Sequence, residues 1–240
     1  MAIPLAIDSL SDLAVVPEIG KEIKAVVFDF GGTLDTDGDH WSQVILDAYK
    51  AAGLDVGVDD FVNAYIFAER TLEANGTINR SDSFRDVLQK KIMLQRSHLG
   101  LDFDVDPIVD YCYAIAKQTT RKASFLLSLL SKKAALGIVS NFYGNLERVA
   151  EEFNIRSHFI ALIDSTVEGI RKPDPAIFSL ALQSINRHRG ENGPLLPGEL
   201  LMVGDSMKND IIPARQLGFQ TILLTGRPYP PLSCQSHKTE

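Results

Sequence analysis

Residues 25–35 read Ala25-Val26-Val27-Phe28-Asp29-Phe30-Gly31-Gly32-Thr33-Leu34-Asp35. Four apolar residues in a row suit a strand covered on both faces, as strands of parallel sheets are. The run ends on a carboxylate, Asp29, with two glycines after the intervening Phe30. An acidic residue at the carboxyl end of a buried strand lies where open α/β sheets place ligands. Glycines just behind it let the backbone approach a substrate closely. Taken alone, the same residues describe equally well an Asp that ends a strand and caps a turn.

Working outward, four further apolar runs have the same character: Leu136-Gly137-Ile138-Val139, Phe159 to Ile163, Leu200-Leu201-Met202-Val203, and Thr221-Ile222-Leu223-Leu224. Helical patterns lie between them. Leu146, Val149, Ala150 and Phe153 share one face of a segment over 146–153. Asp174-Pro175 reads as a cap with proline in the first turn of a helix reaching Ile185. A helix over Asp210–Leu217 is expected to stop at Gly218. Such alternation predicts an α/β fold with a doubly wound parallel sheet.

The interval from Gly38 to Ser124 carries no comparable strand. Its patterns predict helices over Ser42–Ala52, Asp59–Ala74, Ser83–Ser97 and Pro107–Leu130. The economical division is a core of residues 1–37 and 125–240 interrupted by an all-helical cap, residues 38–124. The Pro-rich stretch Arg227 to Pro231 reads as an extended tail.

With 240 residues, 45% hydrophobic and 23% charged, the chain is long enough for a sizeable core, and its composition is that of a globular protein. The net charge of −7 removes any chain-wide electrostatic case for nucleic acid or acidic membranes as partners. No apolar run approaches the ~20 residues of a membrane span, and Asp8, Asp12 and Glu18 interrupt the start, so no signal peptide is evident. Cys112 and Cys234 are isolated and read as reduced thiols. Asn75-Gly76-Thr77 reads as a turn rather than a glycosylation acceptor. A cytoplasmic location is the expectation.

Three more motifs follow residues 25–35 in order. The second strand ends Val139-Ser140-Asn141, a hydroxyl and N–H groups able to hold phosphate oxygens. Lys172 stands before Pro173, which biases it towards an extended conformation. Gly204-Asp205-Ser206-Met207-Lys208-Asn209-Asp210 places two carboxylates five residues apart, a set suited to a hard cation. Each is weak by itself. Each also lies at a strand end or just before a helix, so together they are expected to converge on one cavity.

This ordered set resembles the haloacid dehalogenase-like hydrolase superfamily over about residues 23–37 and 125–226, with an insert similar to the helical C1-type cap. The resemblance implies a Rossmann-like core, a small phosphorylated substrate and Mg²⁺ as cofactor. It implies that Asp29 is the nucleophile forming an aspartyl-phosphate, with Lys172 neutralising charge. It further implies phosphate contacts from Ser140, Asn141, Lys172 and Thr33, metal ligands in Asp29, the Gly31 carbonyl and Asp205, and support from Asp210 and Ser206. Phosphoryl transfer needs the charge neutralisation and in-line positioning such a set supplies.

One position departs from the family pattern. Its phosphatases carry a second Asp two residues after the nucleophile, as acid and base; here that residue is Gly31. General acid–base assistance is worth roughly 10²–10⁴-fold. Asp35 and Asp37 are near enough in sequence to stand in, although acidic loop residues are more commonly solvated. Three readings compete: a phosphatase, weakened by the change or acting on a good leaving group; a family enzyme of other chemistry (phosphonate or haloacid hydrolysis); or a non-catalytic ligand- or protein-binding relative. The retained Asp29, Ser140, Lys172, Asp205 and Asp210 favour a Mg²⁺-dependent phosphatase. No lysine lies between Lys50 and Lys90, where a phosphonate hydrolase would carry its Schiff-base group. Arg70, Arg80 and Arg85 are candidate contacts to an anionic substrate, and His40 and Trp41 candidate lining of the entrance.

Overall fold

In a computed structural model, which describes residues 5–189 and 193–229, six strands form one parallel sheet. They are β1 (Leu5–Ile7), β2 (Ala25–Phe28), β3 (Ala135–Ser140), β4 (Ala161–Asp164), β5 (Leu200–Gly204) and β6 (Gln220–Leu224), in the order β1-β6-β5-β2-β3-β4. The α/β class expected from the alternating runs is the one observed. β1 carries no sequence signal: it has three residues, two of them exposed, and it exists because β6 offers it an edge.

β2 is central because it is apolar on both faces, and all four of its residues are buried. Val26 and Phe28 join a cluster with Ile45, Leu127, Ile138 and Val203. Ala25 and Val27 join another with Val139, Ile177, Phe178 and Met202. Phe28 is level with Ile138 on one neighbour and Val203 on the other. The carboxyl ends of β2, β3 and β5 therefore coincide, with the Asp29 N–H donating to the Val203 carbonyl at 3.0 Å.

Between β2 and β3 the chain forms α1 (Trp41–Ala51), α2 (Val58–Asn75), α3 (Phe84–Leu99) and α4 (Asp106–Leu130). Ser83 caps α3 through the Asp86 N–H while the Asp86 carboxylate accepts from the Ser83 N–H, and Gly100 closes it in the left-handed region. α4 runs unbroken through residue 124, where the sequence places the end of the insert, because Ile108, Ala116, Ala123 and Leu127 keep one face buried along its length. Phe61, Leu88 and Ile92 of the insert belong to the same hydrophobic cluster as Phe28 of the sheet. Each such buried side chain contributes about 1.5–3 kcal/mol, so these helices are held on the core by packing.

The remaining helices are α5 (Leu146–Glu152), α6 (Ser165–Glu168), α7 (Ala176–Arg189) and α8 (Ile212–Gln216). The Asp174 carboxylate caps α7 at the Ala176 N–H, 2.9 Å. The helix expected over 210–217 begins instead as a wide turn, Met207–Ile211, which brings Asp210 inward before α8 starts. Beyond β6, Arg227 ties the chain to Asp39 and Asp47 and carries Tyr229 to a ring contact with His40. Cys112 is a buried free thiol; Cys234 and Pro230-Pro231 lie outside the described residues. Among the described residues no helix is long and apolar enough to cross a membrane.

Candidate active site

The coincident strand ends bring Asp29, Asp205 and Asp210 together. One carboxylate oxygen of each lies within 4.8 Å of the others. The Lys172 ammonium joins the cluster from below, 2.8 Å from Asp29 Oδ1 and 2.7 Å from Asp210 Oδ1. Burial alone would lower its pKa; Asp210 and Asp29 outweigh that and hold it above the ordinary lysine value. Two glycines permit the approach. A Cβ on Gly32, whose φ is +94°, would lie 2.6 Å from both Asp205 carboxylate oxygens, and one on Gly204 would lie 2.5 Å from Asp210 Oδ2.

Four charged groups here leave an excess of negative charge. Burial, then the charges of Asp29 and Asp210, push Asp205 up to about 8; burial, then Asp29, push Asp210 up to about 6 against the pull of Lys172. Carboxylates this close and this proton-hungry, with only oxygen donors on offer, fit a small hard dication. Asp210 is the most committed of the three, accepting from Lys172 Nζ and from the Ser206 N–H at 3.0 Å. Both Asp210 oxygens are thus engaged, whereas the donors to Asp29 and to Asp205 fall on Oδ1 of each.

Ser140, Asn141 and Gly31 line the same cavity as Asp29 and Lys172. The Asn141 side chain clamps the Lys172 backbone, accepting from its N–H at 2.8 Å and donating to its carbonyl at 2.9 Å. Thr33, expected on phosphate, instead donates its hydroxyl to Asp205 Oδ1 at 2.9 Å, since it is fully buried behind that carboxylate. The Ser206 hydroxyl likewise accepts from the Asn209 N–H, capping the turn that carries Asp210.

The cavity above this floor encloses about 500 Å³, room for a small metabolite. Much of its roof is absent from the sequence reading. Lys91 on α3 pairs with Glu69 on α2 at 2.6 Å, and its ammonium lies 5.9 and 5.6 Å from the ring centres of Tyr65 and Tyr143. Burial would depress the Lys91 ammonium, but Glu69 outweighs it and holds its pKa above the usual value. Tyr143, from the loop after β3, donates to Glu69. Arg171, next to Lys172, pairs with Glu73 of α2. His40 and Trp41 line the cavity, and burial lowers His40 to about 4, leaving it neutral. Of the three arginines, Arg70 reaches this cavity; Arg85 pairs with Asp110 on the outer surface, and Arg80 borders another cleft. The missed residues carry no local motif; helical phase and an intervening strand separate them in sequence.

The family model for haloacid dehalogenase-like hydrolases matches residues 23–218. The chain belongs to that hydrolase family. Within it, the chain is 35% identical over 91 residues to the haloacid dehalogenase-like hydrolase domain-containing protein 3 of Bos taurus, covering 38% of this chain and 33% of that protein. It is 33% identical over 101 residues to the pyrimidine 5′-nucleotidase YjjG of Escherichia coli, covering 41% of each. The glyceraldehyde 3-phosphate phosphatase of Pyrococcus abyssi is 30% identical over 113 residues, 46% of this chain and 43% of that protein. These matches therefore span less than half the length of each relative. Among solved structures, the L-2-haloacid dehalogenase of Xanthobacter autotrophicus superposes with a TM-score of 0.52 at 22% identity, over 83% of this chain and 76% of that one. At that identity the likeness is one of hydrolase fold.

Proposed function

We propose that this hydrolase is a Mg²⁺-dependent phosphatase of a small phosphorylated metabolite, working through an aspartyl-phosphate on Asp29 in the cytoplasm, with residues 38–124 acting as its cap. The observation that carries the reading is Lys172 held between Asp29 and Asp210, which cluster with Asp205, at the floor of a cavity of about 500 Å³. Lys172 pairs with the Asp29 nucleophile at 2.8 Å and offsets its repulsion from a phosphate dianion. The Ser140 hydroxyl and the Asn141 N–H sit at the adjoining strand end to hold phosphoryl oxygens. Bound by Asp29, the Gly31 carbonyl and Asp205, Mg²⁺ supplies the neutralisation that phosphoryl transfer demands. Relatives described as a pyrimidine 5′-nucleotidase and a glyceraldehyde 3-phosphate phosphatase support this substrate class.

Phosphonate hydrolysis through a Schiff base fits less well. Lys91 does reach the cavity, but Glu69 holds it as an ammonium, and imine formation requires a neutral amine. The test is a panel of phosphate esters assayed with Mg²⁺ and with chelator. Turnover that requires Mg²⁺ and vanishes in Asp29→Asn is the expected result. Activity indifferent to both would remove the mechanism.

A further inference from the structure

On the phosphatase reading, a glycine at 31 leaves the proton of the reaction to another group. Two carboxylates follow in sequence, and the fold separates them. Asp37, with φ 55°, turns away from the site and accepts from the Leu10 N–H at 2.8 Å and the Ser9 hydroxyl at 3.0 Å, fastening the N-terminal segment. Asp35 turns the other way. It is fully buried in the wall of the cavity that contains Asp29. Its Oδ1 accepts from the Gly32 N–H and its Oδ2 from the Trp41 indole N–H, both at 2.8 Å.

Gly31 links these two facts. It has ordinary backbone angles (φ −76°, ψ 117°), and a Cβ built on it would meet only the Trp41 ring, at 3.9 Å from Cδ1 and Nε1. A side chain at 31 would thus project into open space against the very indole N–H that Asp35 holds. The Trp41 indole is therefore the shared neighbour of the Asp35 carboxyl and of a side chain placed at 31. We propose that Asp35 is the general acid and base of this enzyme, relocated four residues along the chain, with the room left by Gly31 admitting the reacting oxygen.

The steps balance. Asp29 Oδ attacks phosphorus, the ester P–O bond breaks, and the departing oxygen takes the proton of Asp35. Water then enters, gives a proton to the Asp35 carboxylate, and its oxygen attacks the phosphoryl group. The P–O bond to Asp29 breaks, releasing phosphate and the Asp29 carboxylate. The surroundings suit this duty: burial, opposed by the Gly32 and Trp41 donors and reinforced by the Asp29 charge, pushes Asp35 up to about 7. Lys91, in the roof, also feels the Asp35 charge. A group that both gives and takes a proton works best with its pKa near the working pH.

The experiment compares wild type, Asp35→Asn, the double variant Gly31→Asp/Asp35→Asn, and Asp37→Asn, on p-nitrophenyl phosphate (good leaving group) and glycerol 3-phosphate (poor one). In Asp35→Asn, steady-state turnover of glycerol 3-phosphate should fall about 10²–10³-fold with no burst. p-Nitrophenyl phosphate should give a burst of one nitrophenolate per enzyme and then slow release, because the phosphoenzyme forms but lacks its base. The double variant should regain turnover on both, and Asp37→Asn should match wild type. Asp35→Asn equal to wild type overturns the proposal. So does a loss of burst and steady state alike that Gly31→Asp fails to restore, since that is a structural role. A wild type inert on every ester overturns the phosphatase reading itself, and the proposal with it.

Discussion

Replacing Lys172 with Met keeps the buried stem and deletes the charge. Wild-type Lys172 is 3% exposed, and its ammonium contacts Asp29 and the fully buried Asp210. Breaking a buried pair by removing one partner costs about 3–5 kcal/mol, because the other charge is stranded. Here the cost depends on pH. Asp205 and Asp210 have folded pKa values of about 8 and about 6, both above 3.8. Carboxyls raised on folding favour the folded state fully at low pH and lose that contribution as pH rises through the folded values. In chelator, wild type should therefore be less stable at pH 8.5 than at pH 5. The Lys172→Met penalty should be near its full size at pH 8.5. At pH 5, on the acid side of the raised Asp210 value, that carboxyl carries less charge and the penalty should shrink by on the order of 1–2 kcal/mol. Urea unfolding at both pH values measures it. An equal loss at the two, or a loss under about 1 kcal/mol at pH 8.5, would refute the charge balance described for the site.

Three further outcomes are expected. Mg²⁺ should raise the thermal midpoint more at pH 8 than at pH 5.5, where protons compete for Asp205 and Asp210, and Asp205→Asn should abolish the shift in a melting series. Trp41 is the single tryptophan and bonds to Asp35, so its fluorescence should titrate near pH 7 in wild type and lose that inflection in Asp35→Asn. Gly32→Ala should cost about 1–3 kcal/mol and blunt the Mg²⁺ response, from its positive φ and the Asp205 clash, whereas Gly31→Ala should cost under about 1 kcal/mol; denaturant titrations of the pair separate them.

Much of the floor was legible because parallel strands speak through short apolar runs whose ends must meet at one edge. Asp29 and Asp205 each follow such a run by a single residue, and Ser140 closes one. The roof was not legible. Glu69 and Lys91 meet only because α2 packs on α3, and Arg171 meets Glu73 only because the insert folds back over the core. Thr33 shows the converse: a residue in the right motif whose hydroxyl serves Asp205, for reasons of depth that spacing does not encode.

By itself the sequence determined the α/β class, the order of the motifs and the identity of the carboxylates gathered at the strand ends. Periodicity and strand termini are local properties, written within a few residues of each other. Only the tertiary structure separates Asp35 from Asp37, two residues apart and alike in chemistry. The turn after β2 buries Asp35 against Trp41 in the wall of the cavity that Asp29 lines, and sends Asp37 to the Leu10 N–H. Which side of a loop faces a cavity is set by what packs against it, and that information lies in distant segments of the chain.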